Sequence, residues 1–378
     1  MSAGTFYKTF NSSDRTTTRT LLHESIPITG TLVSGTYNTY NDTGPVARGQ
    51  NIKTFAHGIF QSVYDYPFLS SSANHIFDIA VGYSSTSPLS GAAATQNAKK
   101  INLYNQMAQV LSGYDTNGNV RPFDADGTLS SGEKIKDAIF VNFSRLLVKD
   151  EVKKGSFSMI IGTGSDPTLT SSFEQHTRAV TINDSGAETS YKVNSPAGEY
   201  GILKSNAVGT PNVGLLYYQA GIAVLTASIF QSSSDGLAHT RHNFDPLPAA
   251  TDHTGLFISM SAVGNIYDTM TGSTTDVAAD SIRRRISNIS FNNTTELNST
   301  IYFCRANHNE FNYSSNPTYL NGSKIRVKNN NILAPPKAYV TTVGLYSADN
   351  ELLAVAKLSE PLKKDPTNEL TLRVRLDY

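Results

Sequence analysis

Two short acidic stretches are the first candidates for chemistry. Asp115-Thr116-Asn117-Gly118-Asn119 and Asp124-Ala125-Asp126-Gly127 offer clustered oxygen donors of the kind that hold calcium. An EF-hand loop counted from Asp115 needs glycine at its sixth position, where Val120 stands. Turn-forming Asx residues between two helices account better for the segment from Asp115 to Gly127. His239, His242 and His253 lie near Asp245 and Asp252, and two imidazoles with a carboxylate can hold a transition metal. Their spacing fits no helix face, and Pro246 and Pro248 interrupt the stretch, which reads as a surface loop. Gly162-Thr163-Gly164-Ser165 lacks the lysine of a phosphate loop and the third glycine of a dinucleotide fingerprint, so it reads as a turn. Arg283-Arg284-Arg285 is the one basic cluster. On a helix its members point in different directions, which favours solvated or interface ion pairs over a nucleic-acid stripe. No Gly-x-Ser-x-Gly elbow is present, and no carboxylate pair stands out for glycoside hydrolysis. No catalytic, cofactor-binding or metal-ligating residue is assigned, and the chain is expected not to be an enzyme.

Composition narrows the classes further. The 378 residues carry 31 Lys+Arg against 31 Asp+Glu, and charged residues make up only 16%. A whole-chain basic surface for nucleic acid is thereby excluded, and no direct nucleic-acid contact is expected. No apolar run approaches the ~20 residues of a membrane-spanning helix, and the start, Met1-Ser2-Ala3-Gly4-Thr5, does not read as a signal peptide. Cys304 is the single cysteine, which rules out an intrachain disulfide and a cysteine zinc site. Within Ile301-Tyr302-Phe303-Cys304 it reads as a buried, inert thiol on a strand.

The elements that position these residues are mostly strands. Residues 1–50 are polar and rich in Thr, Ser, Asn and Gly. They form an extended arm that is either flexible or ordered against a partner. Helices are predicted over 97–112, with Gly113 to stop it, and over 131–150, where Ser130 and Glu133 make a capping-box pattern ahead of Ile135, Ile139, Phe143, Leu146 and Leu147. A third covers 277–288, and 52–64 has helical spacing interrupted by Gly58. Strands are predicted at Ile76–Val81, Phe157–Ile161, Ala179–Asn183 and Tyr191–Val193. Val213–Tyr218 and Ile222–Ile229 flank Gln219-Ala220-Gly221 as a hairpin buried on both faces. Ile286–Phe291 and Leu297–Cys304 suggest another hairpin across Asn292-Asn293-Thr294, in competition with the third helix. Tyr339–Tyr346 and Glu351–Leu358 form a hairpin around Ser347-Ala348-Asp349-Asn350, and the last strand alternates Leu370, Leu372, Val374, Leu376 with Thr371, Arg373, Arg375, Asp377. The fold class is α+β and strand-rich, with β-hairpins, a sandwich-like C-terminal part and a few central helices. Three regions follow: the arm to residue 50, a central α+β body over 51–260, and a β-rich part over 261–378.

Three phrases carry a resemblance to known proteins. They are Phe303-Cys304-Arg305-Ala306-Asn307-His308-Asn309-Glu310-Phe311-Asn312-Tyr313-Ser314-Ser315-Asn316-Pro317-Thr318-Tyr319, then Tyr339-Val340-Thr341-Thr342-Val343-Gly344-Leu345-Tyr346 with Asn350 to Pro361, and Val213-Gly214-Leu215-Leu216-Tyr217-Tyr218-Gln219-Ala220-Gly221-Ile222. They resemble segments of structural proteins in large contractile-tailed bacteriophages, above all those of marine and cyanobacterial hosts. The resemblance implies a virion component of the tail or baseplate, assembled in the host cytoplasm without catalysis or cofactor. Its partners would be other virion proteins and copies of itself. A receptor-binding fibre, a neck or head-completion protein and a glycan-degrading tail enzyme are the alternatives.

Overall fold

The computed structural model describes residues 7–29, 51–55, 57–129, 132–162, 179–206, 212–230, 266–283, 286–313, 320–321, 324–325, 333 and 336–378. They fall into two compact units, His23–Thr295 and a second made of Met1–Leu22 with Glu296–Tyr378. The compositional boundaries at 50 and 260 fall at the edge of, or inside, stretches outside the described residues.

In chain order the first elements are β1 (Arg15–Thr29), β2 (Ile52–Thr54), β3 (Gln61–Tyr64), β4 (His75–Tyr83) and helix α1 (Asn97–Leu111). Next come β5 (Phe123–Asp124), β6 (Lys134–Ile135), β7 (Asp137–Phe143), α2 (Arg145–Val148), β8 (Glu151–Val152), β9 (Ser158–Gly162) and β10 (Ala179–Asn183). There follow α3 (Ala187–Ser190), β11 (Lys192–Ser195), β12 (Gly198–Ser205), β13 (Asn212–Tyr217), β14 (Ile222–Thr226), α4 (Ile266–Gly272) and α5 (Thr275–Arg283). The chain closes with β15 (Ile286–Ala306), β16 (Leu320–Asn321), β17 (Lys324–Ile325), β18 (Ala338–Tyr346), β19 (Leu352–Lys364) and β20 (Leu370–Asp377). The fold is a strand-rich α+β fold, as its sequence implies.

In the larger unit the hydrogen-bonded order is β15-β9-β10-β12-β13-β14-β7-β4-β3-β2. Its central strands are apolar on both sides, and their alternation feeds two cores. Ala138, Phe140, Leu215, Tyr217 and Val224 pack with Tyr104, Ala108 and Leu111 of α1. Ile139, Val141, Leu216, Tyr218, Ala223 and Leu225 belong to the cluster that includes Ala278, Ala279 and Ile282 of α5. This double burial explains the unbroken apolar runs of β7, β13 and β14. At Gly82 of β4 a Cβ would lie 2.8 Å from the carbonyl oxygen of Lys100, so only glycine admits α1 this close.

Four expectations are overturned. Residues 131–150 form no long helix: the segment is β6, β7 and the four-residue α2. Ile135, Ile139 and Phe143 do recur at helical spacing, but Ala138, Phe140 and Val141 between them are equally buried, as a strand between β14 and β4 requires. Residues 52–64 form the antiparallel pair β2 and β3, with Gly58 at φ +62° in the turn. The third helix stops at Arg283, and Ile286 and Ile289 point into the core from β15. No turn forms at Asn292-Asn293-Thr294 either, because β15 runs straight through. Asn293 is buried there. Its amide donates to the Leu147 carbonyl at 2.8 Å, and its side-chain oxygen accepts from the Glu24 amide at 3.2 Å. The first part of the polar arm is likewise a strand of its own chain, β1 beside β15; residues 30–50 lie outside the described residues.

Buried polar groups tie the layers together. The Lys100 ammonium, wholly enclosed, donates to the carbonyls of Thr95 (2.8 Å), Met270 (2.5 Å) and Ser273 (2.6 Å). It thereby satisfies a C-terminal carbonyl of α4, where a cation also suits the helix dipole. Burial pushes its pKa down to about 8. Arg283 is wholly buried, not solvated, and its Nε donates to Gln61 Oε1 at 2.8 Å. The Asp184 carboxylate accepts from the amides of Gly155 and Phe157 and from the Tyr218 hydroxyl at 2.8–2.9 Å. Burial still pushes Asp184 above the usual carboxylate range.

The smaller unit pairs β20 antiparallel with the end of β15, Thr300 opposite Leu376 and Tyr302 opposite Val374. Val374 is buried, while Arg373 and Arg375 are exposed, as the alternation requires. Val374→Asp should cost on the order of 3 kcal/mol. Arg373→Ala should stay within ~0.5 kcal/mol. Equal losses in denaturant unfolding would refute the register.

A second expected outcome concerns alkaline pH. Burial raises the phenol pKa of Tyr104, Tyr217 and Tyr218, and pushes Tyr200 up to about 12. Because the folded values exceed the ordinary ~10, their contribution to stability is complete below that pH and is lost as pH rises through the folded values. Circular dichroism and tyrosinate absorbance should therefore change together above about pH 10 for these four. Full tyrosinate formation with the structure intact would contradict it.

Candidate interaction surface

The residues singled out for chemistry do not converge. Asp115 Oδ1 accepts from the amides of Asn117 (2.9 Å) and Asn119 (2.8 Å), which lowers its pKa. Asp124 accepts from the Asp126 and Leu129 amides at 3.1 Å and from the Lys134 ammonium. Both stretches are Asx turns that spend their carboxylates on their own surroundings; α1 precedes them, the second starts at the end of β5, and the strand β6, not a helix, follows. Among the described residues no group of three or more His, Cys, Asp or Glu is placed to hold a metal ion. His239, His242, Asp245, Asp252 and His253 lie outside the described residues. So do Thr163, Gly164, Ser165, Arg284 and Arg285, while Gly162 ends β9. Cys304 is free and half-buried, and burial followed by the Asp14 carboxylate raises its pKa.

What the structure does assemble is an exposed apolar strip on the β18–β19 hairpin. The strands are antiparallel, with Tyr346 opposite Leu352, Gly344 opposite Val355 and Thr342 opposite Lys357. Partners in register share a face. Tyr346, Leu352 and Val355 therefore line one side, and each is more than half exposed. A Cβ at Gly344 would meet the Tyr346 ring at 3.0 Å and Leu352 Cδ1 at 3.4 Å, so both side chains fold over that glycine. Leu353 is the extra residue of a bulge between the Leu345 and Tyr346 pairs, and is 66% exposed. The opposite face turns inward, with Leu345 buried. A second irregularity carries Leu358 to Pro361 past the ladder, which is where a proline is tolerated inside a strand.

At the base of the hairpin, opposite the buried Ala338, a lysine points inward against the usual preference. Lys364 is wholly buried. Its ammonium donates to Asn312 Oδ1 (2.6 Å) and to the carbonyls of Asp365 (3.0 Å) and His308 (3.2 Å). Burial lowers its pKa. Beside it Lys363 pairs with Asp365 at 2.7 Å. Sequence reading found the hairpin but not the buried lysine, because its oxygen partners at 308 and 312 are remote in sequence.

Comparison of the chain with protein-family models, curated proteins and solved structures finds no match.

Leu352→Ser combined with Leu353→Ser should change unfolding stability by no more than ~0.5 kcal/mol, since neither side chain fills the core. Lys364→Met should cost ~2 kcal/mol by stranding buried oxygens. Denaturant titration of both variants checks the contrast, and a larger loss from the serine pair would place the strip inside the core.

Proposed function

We propose that this chain is a structural component of a virion, a tail or baseplate protein of a large contractile-tailed bacteriophage, acting through subunit–subunit interfaces and without catalysis. The carrying observation is the imbalance of the smaller unit. Among its described residues only Ala338, Leu345 and Val374 are buried apolar side chains, while Tyr346, Leu352, Leu353 and Val355 face outward. A strand-rich unit with so little core gains its remaining burial from neighbours, and rimmed apolar surface marks protein interfaces. The resemblance of the 303–319, 339–361 and 213–222 phrases to contractile-tail virion proteins supplies the setting. Even charge, 31 Lys+Arg against 31 Asp+Glu, suits repeated packing of copies without like-charge repulsion. No helix among the described residues is long and apolar enough to cross a membrane. The partners are other virion proteins and copies of this chain, joined in the host cytoplasm.

An antiserum raised against the purified chain tests this on particles disrupted into tails and emptied heads. Signal in the tail fraction is the expected result. Signal confined to heads would overturn the tail placement, and absence from both would overturn the virion reading.

A further inference from the structure

Strand β1 is ordered without the burial that normally holds a strand. From Arg15 to Ser25 eleven consecutive residues are exposed, on both faces. Its hydrogen-bonded neighbour is β15. Thr17 Oγ1 meets Thr300 Oγ1 at 3.2 Å, and Thr18 Oγ1 donates to the Ser299 carbonyl at 3.4 Å. Among the described residues no strand lies along the other edge. Fixing the backbone costs roughly 1–2 kcal/mol per residue. One ladder of hydrogen bonds returns about 0.5–1.5 kcal/mol each, so pairing on one side only breaks even. The segment Arg15-Thr16-Thr17-Thr18-Arg19-Thr20-Leu21-Leu22 also lacks the proline that commonly blocks edge pairing. Its Leu21 and Leu22 are about half exposed, at 45% and 51%.

We propose that the free edge of β1, Arg15–Leu22, pairs antiparallel with the same segment of a second copy of this chain about a two-fold axis at Thr18. Among the registers that pair most of Arg15–Leu22, those centred on Thr17, Thr18 or Arg19, charge selects Thr18. Centred on Thr18, Arg15 lies opposite Leu21, Arg19 opposite Thr17, and Thr16 opposite Thr20, so no like charges meet. Centring on Thr17 would set Arg15 against Arg19, and centring on Arg19 would set that guanidinium against its own copy. A two-fold contact of this kind is isologous and closed, giving a dimer. The inference is independent of the virion reading, because it needs only two copies of the chain.

Disulfide trapping in the full chain tests the pairing and its register, with Cys304→Ser as background. Thr18→Cys places the two thiols directly opposite each other, within reach of a disulfide. Arg15→Cys places them six residues apart along the strand, roughly 20 Å. Mild oxidation should convert T18C, but not R15C, to a covalent dimer. The triple variant Thr16→Lys, Thr18→Lys, Thr20→Lys opposes three pairs of like charges and should raise the dimer Kd roughly tenfold in sedimentation velocity. Unchanged amide-exchange protection along β15 and β20 would show that this variant still folds. Wild-type protein that stays monomeric at its highest soluble concentration overturns the proposal, as does equal cross-linking of R15C and T18C.

Discussion

A sheet whose central strands are apolar on both sides has no face to give to water. In the unit from His23 to Thr295 that constraint governs the rest. β7, β13 and β14 each send alternate side chains into two different cores, so each face needs a cover. α1 supplies one and α5 contributes to the other. Gly82 lets α1 descend onto β4. The Lys100 ammonium joins α1 to the end of α4 and the link into α5 through carbonyl oxygens. A cation suits this position because an ammonium has three donors, and three carbonyl oxygens converge on it.

Much of the architecture was legible in the sequence where period and punctuation agreed. The helix ending before Gly113, the hairpin across Gln219-Ala220-Gly221 and the alternating strand Leu370 to Asp377 all stand where their patterns place them. Legibility failed where two periods fit one segment. Ile135, Ile139 and Phe143 satisfy a helical stripe, yet Ala138, Phe140 and Val141 between them are buried too, and only a doubly buried strand uses Ala138 to Val141 without a break. Asn292-Asn293-Thr294 looked like a turn because asparagine favours turns, but Asn293 finds its partners on Leu147 and Glu24, far away in sequence. The exposed strip was hidden for a related reason. Alternation along β18 and β19 shows that two faces differ, but not that the unit buries so little of either.

The two units thus solve the burial problem differently. One is internally saturated, with its charges at Lys100, Arg283 and Asp184 enclosed among hydrogen-bond partners. The other is held by ladders, by Lys364 in its cage of oxygens, by the half-buried pair Arg305–Asp14, and by partly exposed ion pairs such as Lys8–Glu310. Exposed pairs of that kind contribute little on their own. A protein built this way keeps its shape through the larger unit and offers surface through the smaller.

The two irregularities of the β18–β19 ladder bear on solubility before any partner arrives. Exposed apolar strands invite stacking into fibrils, which takes uninterrupted stretches of about six or seven residues. Here Leu353 breaks the pairing at one end, and Leu358 to Pro361 break it at the other. Between them only Thr342 to Leu345 run in continuous register with Ala354 to Lys357. A flat amyloid template of the required length never forms, so the hairpin can display Tyr346, Leu352 and Val355 to a specific neighbour without offering itself to every strand it meets.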